Sequence, residues 1–180
     1  MRNLKIFLIN NFLPIILLFF AILICHFTGN RGVFPIDSFG HFDNAFRILK
    51  GDHPFKDYWV VSGPFIDYFQ SLIFFFFGVN WQSYILGASI LNGILTLTIY
   101  FLFNHLGLGA KKSFFYSACF SILAYPSSGT LFVDHHSTFL SILALNIFIW
   151  SMINNKDYLW FLIPILMTFA FYNDISGIFS

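Results

Sequence analysis

Two stretches of the chain carry side chains able to do acid–base or ionic chemistry. The first runs Ile36-Asp-Ser-Phe-Gly-His-Phe-Asp-Asn-Ala-Phe-Arg-Ile-Leu-Lys-Gly51 and spaces Asp37 from His41, and Asp43 from Arg47, by four residues. On a helix such pairs share a face. Asp37 has two readings, an N-cap contributing about 1 kcal/mol or a functional acid; Asp43 with Arg47 reads as a solvated surface pair. The second stretch, Pro126-Ser-Ser-Gly-Thr-Leu-Phe-Val-Asp-His-His-Ser-Thr138, supplies one carboxylate and two imidazoles in a row. Asp134, His135 and His136 are all competent metal ligands. Successive helical residues diverge by about 100°, so three in a row rarely grip one ion. The alternatives are a cap for the next helix or the handling of charge or phosphate in a polar cavity. A divalent metal stays open as a cofactor.

These residues belong to a chain that water cannot surround. Of its 180 residues, 58% are hydrophobic and 9% charged, where an ordinary soluble domain has about 25% charged. Mean hydropathy is +0.76. The 28 Phe are more than a single water-surrounded core buries, so the solvent for most of the chain is lipid. Nine Lys and Arg face eight acids, all Asp, for a net charge of +1. No basic stripe is present for a nucleic-acid partner; the expected partner is membrane lipid. Cys25 and Cys119 lie in apolar runs, where a free thiol behaves as a small hydrophobe.

The elements that must position the two stretches follow from the apolar runs. The expectation is an all-α, polytopic membrane helix bundle in one domain, with spans at about 6–27, 83–104, 111–129, 136–153 and 157–173. An external loop, 28–82, carries interfacial helices at about 38–50 and 65–77. The first run follows a basic start, exceeds the 7–15 or so residues of a signal-peptide core and ends without a small-x-small cleavage pattern. It reads as an uncleaved helix. Phe39, Phe42, Phe46 and Leu49 recur at helical steps, an apolar stripe for the bilayer surface. Gly51 is placed to end that helix, and Tyr58 and Trp59 to anchor at the interface.

Phe65–Phe77 decides the topology. As a helix it reaches about 20 Å, short of a hydrocarbon core of about 30 Å, and it contains Asp67. If it lies along the membrane, Lys111, Lys112 and Lys156 fall on the cytoplasmic side with Arg2 and Lys5, as the positive-inside rule requires. The loops of Asp37 and Asp134 then face the same, non-cytoplasmic side. This describes a multi-pass protein of a bacterial plasma membrane with a cytoplasmic N-terminus. The stop at Ser180, soon after Asn173-Asp-Ile-Ser-Gly177 and without a polar tail, suggests the N-terminal portion of a longer module.

The order of these features resembles the GT-C glycosyltransferases that use polyprenyl-phosphate sugars, of the protein O-mannosyltransferase and aminoarabinose-transferase type. The residues that carry the resemblance are Asp37 opening the first external loop, with Ala45, Leu49 and Gly51 behind it. Pro64-Phe-Ile-Asp-Tyr-Phe through Phe77-Gly78 is similar to the family's Pro-led interfacial helix, and Asp134 to the acid that starts its fourth span. Ser38 stands where the family has a second acid, and Ser62-Gly63 where one branch has Glu-Lys. The resemblance covers about 1–160.

It implies a hexosyl- or pentosyltransferase that moves a sugar from a polyprenyl-phosphate donor to an acceptor outside the cytoplasm. Asp37 would be the base and Asp134 a second acid in the same cavity. A free Asp, at about 3.9, is a poor base, and partial desolvation raises it. Arg47, Lys56, His41, His135 and His136 would supply phosphate contacts. The competing expectations are a transporter or channel component, for which Asn92 and Gly93 in the second span are the hint, and a non-catalytic membrane assembly protein.

Overall fold

The computed structural model describes residues 2–31, 35–60, 62–124, 130 and 133–173, and the side chains of these except at 2–11, 35–37, 133–135 and 173. Among the described residues the protein is helical, without strands. The helices are α1 (Arg2–Gly29), α2 (Pro35–Lys50), α3 (Phe65–Phe77), α4 (Trp81–His105), α5 (Ala110–Ala124), α6 (Val133–Asn154) and α7 (Leu162–Asn173), with a 3-10 turn, Asp157–Phe161, before the last.

Three of them are long and apolar enough to cross a bilayer: α1 over Phe12–Gly29, α4 over Trp81–His105 and α6 over His136–Asn154. At 1.5 Å per residue the 25 residues of α4 span about 37 Å. The chain is a membrane protein. The 15 residues of α5 span only about 22 Å, and α3 and the Asp157–Tyr172 stretch are shorter apolar helices as well.

α4 is the axis of the bundle. It is 61% buried, against 22% for α1 and 28% for α6. Polar side chains stitch it to its neighbours, as expected where apolar contact alone cannot tell helix from lipid. Asn92, fully buried, donates from Nδ2 to the carbonyls of Ala21 in α1 (3.1 Å) and Ser121 in α5 (3.2 Å). Gln82 donates to Asn30 at 3.0 Å, so α1 and α4 run antiparallel. Asn146 of α6 donates to Thr98 of α4 at 3.3 Å, and Ser137 to the Ala170 carbonyl of α7 at 3.1 Å. Outward faces are apolar: Phe12, Phe19, Leu23 and Phe27 of α1 are all more than half exposed.

These directions sort the connections between two ends. One end gathers the last turn of α1, the first turns of α4 and α6, the last turn of α7, and helices α2 and α3. The opposite end carries the α4–α5 turn with His105, Lys111 and Lys112, and the α6–α7 turn with Lys156.

α3 is inside-out by the standards of a water-soluble helix. Asp67, Gln70 and Ser71 are buried, while Leu72, Phe75, Phe76 and Phe77 are 54–69% exposed. An ionisable group facing the bundle with phenylalanines outside is the pattern of a helix bathed in lipid. Gly78 closes α3 at φ +81°, and Asn80 caps α4 by accepting from the Ser83 N–H. The turn between the two helices is therefore tight.

Candidate functional site

α2 begins at Pro35, a residue suited to a first helical turn. Asp37 and Ser38 therefore lie inside the helix, and Asp37 is not its N-cap, one of the two roles the sequence pattern suggested for it. Ser38 instead pairs its hydroxyl with that of Thr130, 2.9 Å away and 92 residues on. Both are buried. The helix stops at Lys50, with Gly51 at φ +99° and its N–H on the Ile48 carbonyl at 3.0 Å, the end that the sequence predicts.

The face of α2 turned inward is not the phenylalanine stripe. Ser38, His41 and Ala45 are buried, while Phe39 is 55% exposed and Phe46 is 36% exposed. Phe42 points in, 5.0 Å from Phe74 and 5.3 Å from Tyr84 between ring centroids, and Phe39 lies against Trp81. The stripe is split because α2 packs on α3, whose inward residues are partly polar and draw the polar residues of α2 toward them.

That packing makes the main polar cluster. Asp67, with no exposed surface, receives His41 Nδ1 on Oδ1 at 2.7 Å and Asn44 Nδ2 on Oδ2 at 3.0 Å. His41 and Asn44 are three residues apart on one face of α2. Burial pushes the Asp67 carboxyl up from the usual carboxylate range, and the bonds from His41 and Asn44 pull it back. Tyr58 donates its hydroxyl to the Asn44 carbonyl at 3.3 Å, which ties the 51–60 loop to the same helix. His41 thus pairs across to α3. The side chain of Asp37, its expected helical neighbour, lies outside the described residues.

The other candidates fall in different places. Asp43 and Arg47 form the expected exposed pair at 2.8 Å, and the guanidinium sits 5.3 Å from the Tyr58 ring centroid. Lys56 is on an exposed loop with Asp57 at 4.0 Å. His136 is buried in the wall of an apolar cleft of about 180 Å³ beneath α3, with Phe65, Ile66, Leu91, Leu95 and Phe139. Asp134 and His135 belong to the first turn of α6, and their side chains lie outside the described residues. Among the described residues no three His, Cys or Asp converge as a metal site.

Asp67 entered the sequence analysis only as an obstacle to crossing. The signal that pointed to it was there: one acid in a short apolar helix must find a partner, and α2 offers His41 and Asn44 at helical spacing. Comparison with known proteins found no matching family model, no matching curated protein and no matching solved structure.

Proposed function

We propose that the chain is a membrane glycosyltransferase module, or the N-terminal portion of one, which transfers a sugar from a polyprenyl-phosphate donor to an acceptor on the non-cytoplasmic side. In this reading Asp37 is the base and Asp134 the second acid. The chain crosses the bilayer five times, with α5 and the 157–173 stretch completing the spans and α2 and α3 lying at the outer interface. Lys111, Lys112 and Lys156, at the end opposite α2 and α3, mark the cytoplasmic side.

The observation that carries the reading is the Ser38–Thr130 hydrogen bond. Its two residues stand one position after Asp37 and four before Asp134, so the segments with the two acids meet at one end of the bundle. The buried His41–Asp67–Asn44 cluster adds acid–base groups at that end. The apolar cleft that Phe65 and Ile66 of α3 share with α4 and α6 adds room for hydrocarbon. The hint toward a transporter weakens: Asn92 commits its amide nitrogen to two helix–helix bonds, and Gly93 packs against Leu18 and Ile22 of α1.

The test is Asp37→Asn in the full-length protein, assayed for sugar transfer from polyprenyl-phosphate donors in membranes. Transfer should fall to background with expression unchanged. Full transfer by the variant refutes the base assignment, and no transfer by the wild type from any such donor refutes the reading.

A further inference from the structure

We propose that the cavity between α4 and α6, at the lysine-bearing end of the bundle, binds the headgroup of an anionic phosphodiester lipid that carries hydroxyls, of the phosphatidylglycerol class. The site stands at the opposite end of the molecule from the proposed transfer chemistry and does not depend on that reading.

The cavity has a volume of about 410 Å³ and is lined by Thr98, Phe101, Asn104 and His105 of α4 and by Asn146 and Trp150 of α6. Small-molecule sites have this size and this make-up, an apolar wall with a few placed polar groups. The two helices run parallel, both from the α2–α3 end toward the lysines. Helical side chains lean toward the N-terminus of their helix. His105 therefore leans back over Phe101, and Trp150 over Asn146. From His105 at the mouth to Thr98 at the floor is about 10 Å along α4.

The floor calls for a hydrogen-bond donor. Asn146 is 7% exposed. The Thr98 hydroxyl gives its hydrogen to the Leu95 carbonyl at 2.8 Å, so toward Asn146, 3.3 Å away, it can only accept. That fixes the amide: Nδ2 faces Thr98, and Oδ1 is left without a donor among the described residues. An amide oxygen taken from water and left unpaired is costly. A hydrocarbon chain in the cavity would leave it so, whereas a headgroup hydroxyl pairs it.

The charge of this end selects an anion. Among the described residues there, Lys111, Lys112 and Lys156, all exposed, stand against one acid, Asp157. At the mouth, Asn104 and His105 are exposed and bring amide and imidazole N–H groups for phosphate oxygens. The phosphate then stays at the mouth, a hydroxyl reaches Asn146, and the acyl chains leave past Phe101, which is half exposed, into the surrounding lipid.

The experiment uses the full chain purified in detergent. Native mass spectrometry reads which lipid it retains from equimolar mixtures with identical acyl chains. Phosphatidylglycerol should be retained about tenfold over phosphatidylethanolamine, whose headgroup has donors but no net charge. It should be retained about threefold or more over phosphatidylpropanol, which has the charge but no hydroxyl. Asn146→Leu should bring phosphatidylglycerol down to the level of phosphatidylpropanol. His105→Leu should lower the retention of both anionic lipids, and His53→Gln, at the other end, should change neither. A wild type that holds phosphatidylglycerol no better than phosphatidylpropanol, or no better than phosphatidylethanolamine, overturns the proposal. Folded Asn146→Leu and His105→Leu that both keep the wild-type pattern place the lipid elsewhere and overturn the site. If Asn146→Leu does not fold, the wild-type comparison with phosphatidylpropanol and the exposed His105→Leu decide. Displacement of the lipid by excess soluble glycerophosphoglycerol would make a free phosphodiester the ligand and overturn the assignment to a lipid.

Discussion

His41→Ala leaves the Asp67 carboxyl, which has no exposed surface, with Asn44 as its one remaining donor among the described residues. Removing one partner of a buried pair costs about 3–5 kcal/mol, and thermal unfolding in detergent should show a loss of that order. Arg47→Ala removes a partner from an exposed pair and should change stability by less than about 1 kcal/mol. The pH dependence of Asp67 has a definite sign. Burial raises its carboxyl in the folded protein, against the pull of His41 and Asn44, so the folded state holds that proton more tightly than the unfolded chain. The stability linked to it is fully present below the unfolded value of about 3.9 and declines as pH rises through the raised folded value. Unfolding temperatures of wild type relative to Asp67→Asn should therefore fall as pH rises from about 4 toward neutrality. A difference flat in pH would mean that burial does not shift the group.

At the scale of elements, α3 is held to α4 by a side chain lying on a backbone. Gln70 is fully buried, donates to the Ser83 carbonyl at 3.1 Å, and sets its amide oxygen where a Cβ on Gly87 would be. Gly87→Ala should destabilise by about 1–3 kcal/mol, the range for overpacking, and Gln70→Ala in the same chain should recover part of it. Additive losses in this double-mutant cycle would show that the two residues do not meet. Asn92→Leu removes two bonds that join α4 to α1 and α5. Single interhelical bonds in membranes average about 0.6 kcal/mol, so a loss of roughly 1 kcal/mol is expected in steric-trap or denaturant unfolding.

For the whole molecule the decisive prediction is sidedness. In a background with Cys25 and Cys119 replaced, single cysteines at 37, 56 and 134 should react with a membrane-impermeant maleimide from outside intact cells, and cysteines at 111 and 156 only after permeabilisation. Reaction of 37 and 134 from opposite faces would remove the shared site. Much of the framework behind this prediction was legible in the chain, because lipid solvation and helical period act locally. The run predicted at 65–77 is α3 residue for residue, the second apolar span at 83–104 becomes α4 at Trp81–His105, and Gly51 ends α2. Composition alone established a membrane protein, since 9% charge cannot coat a globule in water. The period of α2 showed a helix but not which of its faces would be buried. That was decided when α3 presented Asp67, because an acid out of water takes whatever donors the opposing surface brings, and periodicity in one helix carries no record of the other. The contact between Ser38 and Thr130 is of the same kind, joining residues 92 positions apart that have no local reason to meet. Long-range polar pairing is set by packing, and only the folded bundle determined it.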